Sequence, residues 1–289
     1  LSRNLVSIRV LQSTGIAYAI NTASKFGFNP KQLPHDLSLA LGSHAVTPLA
    51  IAGGYATFAN GGYKIEPYLI ERITDSDGEK IFQAMNPVVC RNYCADKIDV
   101  EESIDTSLST TEQSTQPEAA NPTPPLAERI LEPRVAYLID SMLKDVVKRG
   151  TATKARAMKR NDIAGKTGTT NGPRDAWFSG YNPDLVTTTW LGFDDNRKIG
   201  RREFGGSAAL PIWIDYMSKA LANRPQRRHP QPAGLVSVRI DPATGLRVSP
   251  SEKNGIFELF REENLPAYGD TSNPDQIFEA DNSLPEDIF

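Results

Sequence analysis

The stretch Asp162-Ile163-Ala164-Gly165-Lys166-Thr167-Gly168-Thr169-Thr170-Asn171-Gly172 decides the reading of this 289-residue chain. It sets a cation and several hydroxyls beside two glycines, and strand-like Ala176-Trp177-Phe178-Ser179-Gly180 follows at once. Gly165-Lys166-Thr167 looks like the end of a phosphate loop, G-x-x-x-x-G-K-[ST]. That motif needs a glycine five residues before Gly165, where Arg160 stands, and a helix directly after the lysine. Asn171-Gly172-Pro173 is instead a turn leading into more strand, so no helix N-terminus is available for phosphate. The stretch reads as an edge strand beside an acyl-transfer site. Gly168 lets a substrate backbone approach closely, while Lys166, Thr167 and Thr169 offer a cation and hydroxyls to a carboxylate.

K-T-G keeps company with S-x-x-K and S-x-N in the serine penicillin-recognising enzymes. Ser2-Arg3-Asn4 fits S-x-N, although Ser2 or Asn4 would serve equally as a helix cap before Leu5 to Leu11. The intervening sequence favours the first reading. Leu39-Ala40-Leu41-Gly42-Ser43-His44-Ala45-Val46-Thr47-Pro48-Leu49 and Tyr55-Ala56-Thr57-Phe58-Ala59-Asn60-Gly61-Gly62 strongly resemble class A penicillin-binding proteins. Tyr137 to Leu143, Gly150-Thr151-Ala152 and the Lys166 stretch continue the match in order. The resemblance runs from about Leu1 to Leu221 and leans to the 1A branch of these bifunctional wall synthases.

The resemblance implies an α+β fold of the penicillin-binding and serine β-lactamase type, a helical cluster packed on a five-stranded antiparallel sheet. It implies a peptidoglycan D,D-transpeptidase acting on stem peptides that end in D-Ala-D-Ala, with β-lactams as covalent inhibitors and no cofactor. Ser2 and Lys166 would move the proton to the departing nitrogen, and Asn4 would orient the nucleophile's lysine and the substrate amide. Thr167, Gly168 and Thr169 would hold the D-Ala carboxylate, with the Thr169 N–H in the oxyanion hole. A membrane anchor, a glycosyltransferase domain and the S-x-x-K half of the transpeptidase domain would precede Leu1. On that reading the chain is a fragment whose nucleophile lies elsewhere, at the periplasmic face of the bacterial inner membrane. D,D-Carboxypeptidase and serine β-lactamase are the alternative enzymes, and a penicillin-sensing module without turnover is the alternative outside catalysis.

Ser141-Met142-Leu143-Lys144 also fits S-x-x-K. The spacing predicts a helix over 133–149 with Val135, Leu138, Ile139, Met142, Leu143, Val146 and Val147 as its apolar stripe. Ser141 and Lys144 then face away from the packed side, where a nucleophile could not be held beside its base.

Composition is ordinary for a globular protein, 39% hydrophobic and 23% charged, with a net charge of −3. That balance carries no electrostatic signature of nucleic-acid binding. The apolar run from Leu37 to Ala59 is interrupted by His44, Thr47 and Pro48, which rules it out as a membrane span. His35 and His44 lack ligand partners at metal-binding spacing, so no metal is expected. Cys90 and Cys94, the only cysteines, are either a tight local disulfide or two free thiols.

Helices are expected over Leu5 to Gln12 and Ile16 to Phe26, and from the Thr47-Pro48 cap through Ala59. A hairpin is expected from Pro67 to Phe82 around Asp75-Ser76-Asp77-Gly78. Ala176 to Gly180 and Leu185 to Phe193 continue the Lys166 strand as neighbours, and Leu210 to Ala222 reads as a helix with Trp213, Ile214, Met217 and Leu221 inward. The transpeptidase part is placed at 1–222. Residues 223–289 form a linker, a small β-rich appendage and an acidic tail. From Ala95 to Ala127 the chain is rich in Ser, Thr, Pro, Glu and Gln, too polar to offset the entropy of ordering, and is read as a flexible insertion without a catalytic role. Deleting Glu101 to Thr123 from the intact protein should therefore leave its penicillin acylation rate within about threefold of the parent. Loss of acylation without unfolding would assign the segment to the cleft.

Overall fold

The computed structural model describes residues 2–89, 124–252 and 254–269. Cys90 and Cys94, most of the polar insertion and the tail from residue 270 lie outside the described residues. The chain separates into two compact units, Leu1–His229 and Pro230–Phe289.

The first unit is a mixed α+β body. Helices α1 (Asn4–Thr14) and α2 (Ile16–Lys25) are divided by Gly15 at φ 91°. Helix α3 (Pro48–Ala59) opens as its sequence dictates, the Thr47 hydroxyl accepting the Ala50 N–H at 3.2 Å with Pro48 in the first turn. Its glycines serve packing, since Gly54 faces the Phe28 ring and Gly53 faces Pro67. The hairpin is shorter than expected, β1 (Arg72–Thr74) against β2 (Lys80–Gln83). Asp75 closes it by accepting the N–H groups of Asp77 and Glu79. Pro67 to Ile70 is not strand, and Leu69 stands 94% exposed. Among the described residues no strand pairs with this run.

Strands β3 (Ala164–Thr169), β4 (Asp175–Asn182) and β5 (Leu185–Gly192) form an antiparallel sheet in that order, with β3 on its edge among the described strands. The described residues contribute three strands to the five that the resemblance implied. Alternation sends the two faces to different neighbours. Ala176 and Phe178 pack on helix α5 (Leu210–Ala220), where Phe178 meets Trp213 edge-on at 4.9 Å and the Trp213 indole N–H donates to the Thr187 carbonyl. Ala164, Tyr181 and Val186 face Ala59, Tyr55, Phe58 and Leu143 on the opposite side.

Helix α4 (Pro133–Arg149) corrects the expected stripe. Its buried residues are Ala136, Asp140 and Val147, and Met142 is 58% exposed. Lys144 turns inward rather than outward, its ammonium 2.5 Å from Asp140, whose other oxygen accepts the Tyr181 hydroxyl at 3.1 Å. This buried triad outweighs periodicity because the sheet supplies its third member. Ser141 is still not a nucleophile with Lys144 as base, for the reason that Asp140 already takes that ammonium.

The arginine-rich run read as linker is bound to the first unit. Arg160 donates to the carbonyls of Leu221, Arg224 and Pro225 and pairs with fully buried Asp162, which also accepts the Arg227 N–H. Burial alone would raise the Asp162 carboxyl, but the bonds from Arg160 and Arg227 and the Arg160 charge hold it below the ordinary carboxylate value. Asp162→Asn should cost about 3–5 kcal/mol in urea denaturation, since Arg160 keeps its charge in a buried place without a carboxylate. A lowered folded pKa gives stability that is present above the ordinary carboxylate value and lost as pH falls through the folded one. The variant should therefore lack that part of the parent's acid-side decline, and a cost under 1 kcal/mol would disprove the account. The last residues of the insertion are likewise held, the Ala127 N–H donating to the Val88 carbonyl at 2.9 Å.

The second unit is small. Strand β6 (Leu235–Ile240) pairs with β7 (Ile256–Arg261), Arg247 bridges to Ile240 and Tyr268, and its guanidinium lies 4.1 Å over the Tyr268 ring.

Candidate active site

Strand β3 carries the site because it is an edge among the described strands, and Lys166, Thr167, Gly168 and Thr169 in succession line the cleft. Ala164 is buried against the helical side. Gly165 must be glycine, since a Cβ there would meet the Phe178 ring and the Ser179 carbonyl at under 3 Å. Lys166 then emerges half-buried, its ammonium donating to the Ser2 hydroxyl at 3.2 Å and to the Thr167 carbonyl at 2.8 Å. Burial pushes the Lys166 pKa below the ordinary lysine value. Two residues 164 positions apart in the sequence are thus brought into contact by the fold. Asn4 stands exposed at the first position of α1, two residues from Ser2.

Thr167 and Thr169 are held by neighbours that sequence reasoning gave no role. The Thr167 and Thr151 hydroxyls are 2.7 Å apart. Gly150-Thr151-Ala152 had marked the resemblance only, and its place before the K-T-G strand was the available signal. Thr169 accepts the Gly205 N–H at 3.0 Å, which leaves its own hydroxyl proton to point elsewhere. Gly205 opens the π-helical turn Gly205–Ala209. A Cβ on it would collide with the carbonyls of Trp177 and Gly168. Gly168 lies opposite Trp177 in register, and a Cβ there would come within 3.1 Å of the Trp177 Cβ.

An open cleft of about 680 Å³ runs along this strand, with Val46, Ile51 and Tyr55 on its helical wall and Lys166, Thr167 and Thr169 on its sheet wall. Burial raises the Tyr55 hydroxyl to about 12, keeping it protonated. Trp177 and Trp190 form a tilted pair at 6.0 Å on the same wall, and the Trp190 indole donates to Asp175 at 2.8 Å. No cluster of three or more His, Cys, Asp or Glu able to hold a metal occurs among the described residues.

The cleft thus brings together an edge strand bearing Lys-Thr-Gly, a serine within hydrogen-bond reach of its lysine and a helical wall opposite. The chain belongs to the penicillin binding protein transpeptidase domain family, whose model matches residues 2–217. It is 47% identical over 308 residues to penicillin-binding protein 1A of Pseudomonas aeruginosa, a match taking in all of this chain and 37% of that protein. It is 42% identical over 236 residues to penicillin-binding protein 1A of Neisseria lactamica, covering 82% of this chain and 25% of that one. Among solved structures, penicillin-binding protein 1A from Haemophilus influenzae superposes with a TM-score of 0.75 at 37% identity, over 92% of this chain and 39% of that one. The D,D-transpeptidase domain of a peptidoglycan glycosyltransferase from Eggerthella lenta shares the fold, with a TM-score of 0.52 at 20% identity over 77% of this chain and 52% of that one. The chain therefore spans between a quarter and little more than a third of the curated relatives it matches. No helix among the described residues is long and apolar enough to cross a membrane.

Proposed function

We propose that this chain supplies the S-x-N and K-T-G walls of a peptidoglycan D,D-transpeptidase that crosslinks stem peptides at the periplasmic face of the bacterial inner membrane. The observation that carries the reading is the Lys166–Ser2 hydrogen bond at 3.2 Å beside an open cleft. The relatives' greater length supports a preceding segment that brings the S-x-x-K serine, a glycosyltransferase domain and a membrane anchor.

That serine attacks the carbonyl between the two D-Ala residues, and the terminal D-Ala leaves as its nitrogen gains a proton. Ser2 gives the proton, and Lys166 replaces it along the bond it already makes. General acid help of this kind supplies roughly 10²–10⁴-fold. An amine of a neighbouring stem then displaces the enzyme serine from the acyl group. Asn4 orients the nucleophile's lysine and the substrate amide. The Thr169 hydroxyl, with its oxygen engaged by the Gly205 N–H, directs its proton to the D-Ala carboxylate. One of the Thr151–Thr167 pair has a proton to spare for the same group. Gly168 lets the substrate backbone lie against the strand edge, adding main-chain hydrogen bonds, and the Thr169 N–H with the nucleophile's own N–H binds the oxyanion. β-Lactams enter the same cleft and acylate the same serine.

The intact protein, supplied with lipid-linked disaccharide pentapeptide, should release D-Ala and form crosslinked dimers. D-Ala release without dimers would make it a carboxypeptidase, and neither product would leave a penicillin-sensing module.

A further inference from the structure

A second cavity, of about 320 Å³, opens between helix α4 and the 3₁₀ turn Thr153–Met158. It shares no residue with the catalytic cleft. Five of its lining residues are cationic and none is acidic. Two of the cations are already neutralised, Lys144 by Asp140 and Arg160 by Asp162. Lys148 is only loosely paired, 3.6 Å from Asp145. Arg156 and Lys159 are exposed and have no acidic partner among the described residues. Val147 and Ile163, both nearly fully buried, form the floor.

Lys159 adds an independent sign. Its backbone is held at φ 53°, in the left-handed region, where it caps the 3₁₀ turn through its N–H to the Arg156 carbonyl. Glycine or asparagine suits that conformation, and a lysine there is strained. Strain of this sort is kept where a side chain is needed in a set place. Here it sets Lys159 in the cavity lining together with Arg156.

We propose that this cavity is a binding site for a phosphate-bearing anion, with Arg156 and Lys159 as its ligands and Lys148 as a third cation. A guanidinium gives phosphate two parallel N–H bonds, and a lysine beside it adds a point charge. No carboxylate lines the cavity itself; Asp140 and Asp162 stand behind the lining and are each held by its own cation, Lys144 and Arg160.

The test uses the intact protein and calorimetric titration with inorganic pyrophosphate, with monomeric dihexanoyl phosphatidylglycerol, and with dihexanoyl phosphatidylcholine as the zwitterionic comparison. Binding of pyrophosphate or phosphatidylglycerol should weaken as salt rises. The R156Q/K159Q double variant should lose at least tenfold in affinity while penicillin acylation stays at the parent rate. The control pair R201Q/R202Q, exposed elsewhere, should bind like the parent. Binding of pyrophosphate alone identifies a free phosphate, and binding of phosphatidylglycerol competed by pyrophosphate identifies a lipid headgroup. K159G guards against misfolding, since it relaxes the backbone while removing the charge. It should hold or raise the thermal midpoint and still bind more weakly. No binding of either anion, an equal loss in the control pair, or full affinity in R156Q/K159Q would overturn the proposal.

Discussion

Lys166→Ala in the intact protein should slow acylation by penicillin by roughly two to four orders of magnitude, with little change in thermal midpoint. The lysine reaches Ser2 from the cleft side of an edge strand and makes no ion pair among the described residues. Its removal therefore takes away a proton donor without leaving a buried charge unpaired. Lys166→Arg separates two roles that alanine cannot. Arginine keeps the positive charge but holds its proton far more firmly, so it should restore little of the rate. Because burial lowers the Lys166 pKa, the lysine loses its proton as pH rises through a value below the ordinary lysine one. The parent's acylation rate should fall across that lowered range, and this limb should be missing in Lys166→Arg. Acylation unchanged in Lys166→Ala would remove Lys166 from the mechanism.

Expressed alone, these 289 residues should form no stable adduct with a fluorescent penicillin. On the proposed function, Ser2 and Lys166, which the fold brings into contact, serve proton transfer and leave the attacking hydroxyl to the S-x-x-K segment. Ser2 is exposed beside the chain start, and its only lysine neighbour in reach donates a hydrogen bond to it rather than accepting one. Ser141 has a lysine three residues on, but Asp140 takes that ammonium at 2.5 Å. Intact-mass spectrometry after incubation with penicillin gives the answer, with the intact protein as positive control. A stoichiometric adduct mapped to Ser2 or Ser141 would overturn the division of roles. The open cleft, with Val46 and Ile51 on its wall, should also make the isolated chain poorly soluble.

The parts legible in the sequence were those with a local cause. Thr47 before Pro48 marks a helix start by side-chain capping, and the three strands 164–169, 175–182 and 185–192 follow from turns at Asn171-Gly172 and Asn182-Pro183-Asp184. Lys166 and Ser2 were legible through motif order, and the fold brings them together. What stayed hidden depends on partners distant in sequence. The inward turn of Asp140 and Lys144 needs Tyr181 from the sheet, which no periodicity on α4 contains. Met142 falls on the apolar stripe by helical spacing, yet it is exposed. The hold of Arg160 on residues 221–225 turns an apparent linker into part of the first unit. The Gly205 N–H on Thr169 could not be foreseen because a glycine shows no side chain that announces a contact.

The crowding at Gly168 and Gly205 limits how this cleft can change under drug selection. At Gly205 any side chain would strike two backbone carbonyls, and at Gly168 it would press on Trp177. Gly205 cannot take a side chain while the strand keeps its shape, and at Gly168 the Trp177 side chain would first have to give way by a few tenths of an ångström. Variation at this corner is thereby channelled to exposed positions such as Thr169, which on the proposed function also handles the substrate. On the proposed function, escape from β-lactams through this corner would carry a toll in wall synthesis, and lineages under such pressure would be driven to second-site changes that restore it.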